Sequence, residues 1–118
     1  MRREHQYLQD IVDAADTIAS FVAGIDREQF IGDALVRSAV VYQLLIMGEA
    51  AAHVQDDIRE RYPGIMWRRI VGFRNFAAHT YFAFDWELVW DTATVDAPEI
   101  RPQILELLRV EFGGSPDS

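Results

Sequence analysis

Cysteine is absent from the 118 residues of this chain. A disulfide framework and a cysteine-based zinc site are thereby excluded, and a reducing cytoplasm is the expected location. Lysine is missing too, since all 11 basic residues are arginine. Long apolar runs are also lacking. The most apolar stretch, residues 39–48, is interrupted at Gln43 and bounded by Arg37 and Glu49. It falls short of the roughly 20 apolar residues of a membrane span, so a buried helix is expected and no membrane partner. The first ten residues, MRREHQYLQD, have no apolar run of the kind a signal peptide carries. Strict apolar–polar alternation occurs nowhere, which leaves strands without a signal. Neither an internal repeat nor an interdomain linker is visible.

What is present suits one helical core. Half of the residues are apolar, including 7 Phe, 4 Tyr and 3 Trp, enough for a core and for a partner surface. A single domain over residues 1–112 is expected, with 113–118 (GGSPDS) as a disordered tail. The net charge of −8 argues against a nucleic-acid partner, because phosphate binding is largely electrostatic. Its distribution argues the other way. Between Arg59 and Arg74 stand Arg59, Arg61, Arg68, Arg69 and Arg74 against a single acid, Glu60. The bland alternative for this island is a solvated helix face with i,i+4 pairing.

Apolar spacing is helical along nearly the whole chain. Leu8, Ile11, Val12, Ala15, Ile18, Ala19 and Val22 recur every three or four residues and predict an amphipathic first helix. Gly24 and Asp26 then supply a stop and a fresh cap, and Asp33 caps a helix to about Val54. That helix is apolar on almost every side, which marks it as the central element. Gly48 in its middle weakens it by about 1 kcal/mol relative to alanine, and a close helix crossing would compensate. Pro63-Gly64 ends a short helix over residues 56–61, and residues 66–78 predict the next. Asp85 caps a helix through Trp86, Val89, Trp90 and Ala93; Pro98 and Pro102 lie at or near the start of a last helix ending near Phe112.

The stretch RNFAAHTYF, residues 74–82, carries the candidate chemistry. On one ideal helix from residue 66 to 78, Ile70, Phe73 and Ala77 face the core, Asn75 and His79 share a side, and Arg74 stands at its border. The small Ala78 between them would let a phosphate approach. RNA carries its own nucleophile in the 2′-hydroxyl, so a protein must supply a proton carrier near neutral pH and a cation for the charge that builds on phosphorus. Histidine and arginine have these properties, which makes His79 and Arg74 the candidate catalytic pair, with Asn75 orienting the imidazole or donating to phosphate. Arg68 and Arg69 are candidate RNA phosphate ligands. No metal and no cofactor is called for. The competing reading is a helix-end histidine beside a surface arginine.

The segments MGEAA (47–51), RYPGIMWRRIVGFRN (61–75), AHTYF (78–82) and WELVW (86–90) together resemble, in order and spacing, the HepT-like family of HEPN-domain proteins. The resemblance covers roughly residues 8–108. It implies an all-α HEPN-type antiparallel bundle of four to six helices that forms a homodimer. It further implies a toxin acting as a metal-independent RNA endonuclease and held in check by an MntA-like nucleotidyltransferase antitoxin. The family motif R-x4-H-x-Y maps onto Arg74, His79 and Tyr81, with Tyr81 as the acceptor of AMP. Thr80 stands where an aspartate is more usual, which removes a negative charge beside the tyrosine. The alternative function is a non-catalytic HEPN module that binds a nucleotide or a protein.

Outside the motif, Glu49 lies one turn before His53, a spacing that could begin a metal site but lacks a third ligand. Glu49 is instead expected to be a buried acid supporting the site by pairing with Arg68 or Arg74. His5 is expected in solvent, and Trp67, Trp86 and Trp90 in the core or a dimer interface rather than stacked on bases.

Overall fold

The computed structural model describes residues 3–78 and 85–113. Their elements are α1 (Glu4–Val22), α2 (Arg27–Ile31), α3 (Ala34–Ala52), α4 (Asp56–Arg61), α5 (Trp67–Gly72), α6 (Arg74–Ala78), α7 (Trp86–Asp91), a π-helical turn (Thr92–Asp96) and α8 (Ala97–Phe112). No strand occurs among the described residues. The all-α bundle expected from the apolar spacing is borne out. Counted through the α5–α6 junction and the π-helical turn, the described residues make six helical stretches.

The local signals act as their chemistry dictates. Gly24 ends the first helix with φ at 77°, a conformation that side chains with a Cβ disfavour. The Asp26 carboxylate accepts from the Gln29 N–H at 2.8 Å, and Gln29 returns a bond to the Asp26 N–H at 2.8 Å, a reciprocal cap on α2. Asp33 accepts from the Val36 N–H and opens α3. Asp85 does the same for α7 through the Leu88 N–H.

At the centre lies α3, packed on α1, α5 and α6. Val40, Val41, Leu44, Met47, Gly48, Ala50 and Ala51 are buried in it. The whole helix is 19 residues with mean hydropathy 1.3, so it extends well beyond residues 39–48 and matches a membrane span by length and composition. Here it forms the core helix of the bundle. Its last carbonyls have no partner within the helix. The Ala51 carbonyl accepts from the Val54 N–H at 3.2 Å and from Arg59 Nη2 at 2.7 Å, and Arg59 Nε donates to the Val54 carbonyl just beyond the helix at 3.1 Å.

Two expectations need correction. Residues 66–78 do not form one helix. The first part closes at Phe73, whose N–H donates to the Ile70 carbonyl at 3.0 Å in a tight turn, and a new helix starts at Arg74. Ile70 and Phe73 are both buried, so the core face continues through the turn. Conversely, no break separates α7 from α8. The Ala97 N–H reaches back five residues to the Thr92 carbonyl, widening the helix by one residue instead of ending it. Pro98 follows directly on the widened turn and Pro102 lies further along α8, so neither proline ends the helix.

The basic island is largely engaged. Arg61 pairs with Asp57 at 3.5 Å, the expected i,i+4 contact, and with Glu111 at 2.6 Å. The tryptophans pack within the chain: Trp67 is buried with Nε1 donating to the Tyr62 carbonyl, Trp86 lies under the Arg37 guanidinium, and Trp90 meets Phe30. His5 is half-buried, its ring 5.8 Å from that of Phe112, rather than free in solvent. Gly113 caps α8 with φ at 77°; the remainder of the expected tail lies outside the described residues.

Candidate active site

Arg74 is the first residue of α6, and it is placed from two directions by adjacent residues of α3. Gly48 supports its base. A Cβ built on Gly48 would lie 2.7 Å from Arg74 Cγ, 2.9 Å from its backbone nitrogen and 3.1 Å from the Ile70 carbonyl oxygen. The close crossing expected at this glycine is therefore present, and it falls on the turn between α5 and α6. Glu49 reaches the other end of the side chain, with Oε1 at 3.7 Å from Arg74 Nη1.

Of the two partners expected for Glu49, then, Arg74 is the one it meets. Glu49 is not the buried acid the sequence suggests, since its side chain is 52% exposed and that of Arg74 43%. An ion pair this open contributes at most about 1 kcal/mol to stability. Its effect is on direction. The guanidinium is held loosely toward solvent, where an anion can compete with the carboxylate for it.

Asn75 follows Arg74 on α6 and is exposed. His79, Thr80 and Tyr81 lie outside the described residues, as does the side chain of Ala78. Phe73, expected in the core, is 2% exposed.

The two neighbouring arginines of α5 differ. Arg69 donates from Nε and Nη2 to Oδ2 of Asp96, so much of its fork is already occupied. Arg68 is exposed and makes no ion pair or hydrogen bond among the described residues. Sequence reasoning missed Asp96 entirely. The signal available was an acid standing where the helical spacing of Ala93, Ala97 and Ile100 calls for an apolar residue.

Beside Glu49 a groove of about 400 Å³ runs between α1 and α3, lined by Tyr7, Tyr42, Leu45, Ile46, Glu49 and His53. His53 stacks on Tyr7 with ring centroids 5.0 Å apart. No group of three or more His, Asp or Glu side chains suited to a metal ion occurs among the described residues. Along the same helix Leu35 and Tyr42 are 80% and 60% exposed.

Comparison with known proteins agrees with this architecture. The family described as "Ribonuclease HepT-like" matches residues 11–107. The protein named "Putative RNase MJ1380" of Methanocaldococcus jannaschii is 36% identical over 98 residues, covering 83% of this chain and 90% of its own length. The "Probable ribonuclease HepT" of Thermococcus cleftensis is 33% identical over 108 residues, covering 91% and 98%. A third relative, "Putative RNase TTE0752" of Caldanaerobacter subterraneus subsp. tengcongensis, is 31% identical over 111 residues, covering 94% and 99%. No solved structure matches the chain. An all-α bundle and a family match over residues 11–107, with relatives more than 30% identical along most of their own length, lead to one assignment: the chain belongs to the HepT-like ribonuclease family.

Proposed function

We propose that this protein is the toxin of a two-component toxin–antitoxin pair, a metal-independent RNA endonuclease of the cytoplasm that works as a homodimer. The observation that carries the reading is the Glu49–Arg74 pair. It leaves a guanidinium pre-aimed at solvent from the start of the motif helix, with a carboxylate weak enough to yield to phosphate.

In the proposed reaction the imidazole of His79 accepts the proton of a ribose 2′-hydroxyl. The 2′-oxygen forms its bond to phosphorus while the bond from phosphorus to the 5′-oxygen breaks. The proton passes to that 5′-oxygen, leaving a 2′,3′-cyclic phosphate and a free 5′-hydroxyl. Arg74 stabilises the charge that builds on the phosphoryl oxygens, and Asn75 orients the imidazole or donates to phosphate. Arg68 serves as a further phosphate contact. Arg69, tied to Asp96, can offer only its remaining donors.

A second copy would place two such motifs along one groove, concentrating positive charge in a protein that is acidic as a whole. Exposed Leu35 and Tyr42 supply apolar surface for that contact. Regulation follows from the tyrosine: an MntA-like nucleotidyltransferase transfers AMP from ATP to the Tyr81 hydroxyl, two residues from His79, releasing pyrophosphate and the hydroxyl proton, and the adduct blocks the site by charge and bulk.

The test is to express the wild type and His79→Ala in a bacterium, comparing growth and total RNA, and to repeat cleavage with purified protein in EDTA. Growth arrest with degraded RNA only in the wild type is the expected result. Equal growth with intact RNA would point to the non-catalytic binding module instead. Intact mass after co-expression with the nucleotidyltransferase should show an AMP adduct that Tyr81→Phe removes.

A further inference from the structure

We infer that Gly48 is a positioning residue for Arg74: its missing side chain lets the backbone of α3 seat the α5–α6 turn, and this contact sets where the motif helix starts. The inference rests on the ribonuclease reading above only for its activity arm. Gly48 is buried in α3 one turn before its last residue, Ala52, where glycine weakens a helix that alanine would strengthen. The neighbours explain why it stands there.

Two of the three atoms nearest an added methyl would be backbone, the Arg74 nitrogen at 2.9 Å and the Ile70 oxygen at 3.1 Å. Neither can swing aside as a side chain would. The third, Arg74 Cγ at 2.7 Å, is the root of the guanidinium arm itself. The two backbone atoms bracket the turn closed by Phe73 N–H on the Ile70 carbonyl, so a methyl there would push on the hinge from which α6 departs. Glu49, the next residue, meets the far end of the same arm. Residues 48 and 49 thus fix Arg74 at its root and at its head. Displacement at the root moves the guanidinium away from the carboxylate and away from bound phosphate.

The other glycines provide the contrast. Gly72 lies two residues from Arg74, yet a Cβ there meets nothing within 4 Å. Gly72→Ala makes the same chemical change at the end of α5 without that contact, so a loss seen only in Gly48→Ala reports the crowding.

The experiment measures RNA cleavage and thermal unfolding of the purified full chain for wild type, Gly48→Ala, Gly72→Ala, Arg74→Ala and Gly48→Ala/Arg74→Ala. Gly48→Ala should lower kcat about 10- to 100-fold per folded molecule with KM within about twofold, as expected for a misplaced catalytic group. Gly72→Ala should stay within about twofold of wild type. The fall in Tm caused by Gly48→Ala should shrink when Arg74 is already alanine, because Cγ is gone. An unchanged kcat in Gly48→Ala, or a Tm no lower than that of Gly72→Ala, would overturn the inference. If Gly48→Ala alone does not fold, the double variant should stay unfolded as well, because the Arg74 nitrogen and the Ile70 oxygen remain in the way, and full recovery of folded protein in the double variant would overturn the backbone seat. A wild type that leaves RNA intact would sink the ribonuclease reading while the Tm comparison still decides the role of Gly48.

Discussion

Arg69 donates from both Nε and Nη2 to a single oxygen of Asp96, at 2.8 and 2.6 Å, joining α5 to the π-helical turn. The carboxylate side chain is 13% exposed and the guanidinium 52%. Removing the arginine strands a nearly buried charge, whereas an exposed arginine without such a partner can be removed freely. Arg69→Ala should therefore destabilise the protein by about 2–3 kcal/mol in urea denaturation. A loss below about 0.5 kcal/mol would mean that the contact is idle.

Arg68 is the matched opposite. Arg68→Ala should change stability by less than about 0.5 kcal/mol. Its effect belongs to RNA: affinity should fall, and the slope of log affinity against log salt should flatten by about 0.7 if one single-strand phosphate contact is lost. An unaltered slope in a salt titration would remove Arg68 from the binding surface.

Glu49→Gln keeps the shape of the side chain and discards its charge. Because the pair with Arg74 is open to solvent, stability should shift by less than about 1 kcal/mol. Cleavage should drop about tenfold, since the guanidinium loses its orienting partner. Full activity at wild-type stability would show that Arg74 is aimed by other contacts alone.

Acid should loosen the junction of α4 with the end of α8. The Arg61 guanidinium hydrogen-bonded to Glu111 holds this carboxyl below the usual glutamate range, helped by the Tyr62 hydroxyl at 2.9 Å. A carboxyl with a depressed folded-state pKa stabilises the fold above its unfolded range, and that contribution is lost as the pH falls through the folded value. The Tm gap between wild type and Glu111→Gln should thus be widest near neutrality and close below about pH 4. Tyr62 is pushed up, by burial first and by its bond to Glu111 second, so its contribution is complete below its ordinary range and is lost as alkaline pH passes the folded value. A Tm gap independent of pH on the acid side would contradict the assigned contact.

Legibility in the sequence followed the range of the interactions. Asp26, Asp33, Gly24 and Asp85 act within three or four residues, so their caps and stops could be read directly. The crossing at Gly48 was also readable, because a glycine in an otherwise strong helix needs a compensating neighbour. Contacts across many residues were not. Asp96 meets Arg69 from 27 positions away, and Arg59 reaches eight residues back to Ala51, distances over which spacing carries no information. The turn at Phe73 escaped notice for another reason: GFRN contains no proline, and both Ile70 and Phe73 keep the helical face, so the pattern of apolar residues runs through it undisturbed. At the site itself, Arg74 and its pairing with Glu49 were foreseen as one of two possibilities, while the exposure of Glu49 depends on which surface of α3 stays uncovered.

The widened turn at residues 92–96 amounts to one surplus residue accommodated without breaking the rod from Trp86 to Phe112. Excising a single position there would let ordinary helix run straight through with the downstream faces kept, because the widened turn absorbs the rotation of about 100° that one extra residue adds. The same excision in the regular turns of α8 before Ile100 would swing Ile100, Ile104 and Leu107, now buried, toward water. Residues 92–96 are therefore the place in this rod where the loss of one residue is best tolerated, a constraint on how the protein can diverge by insertion or deletion.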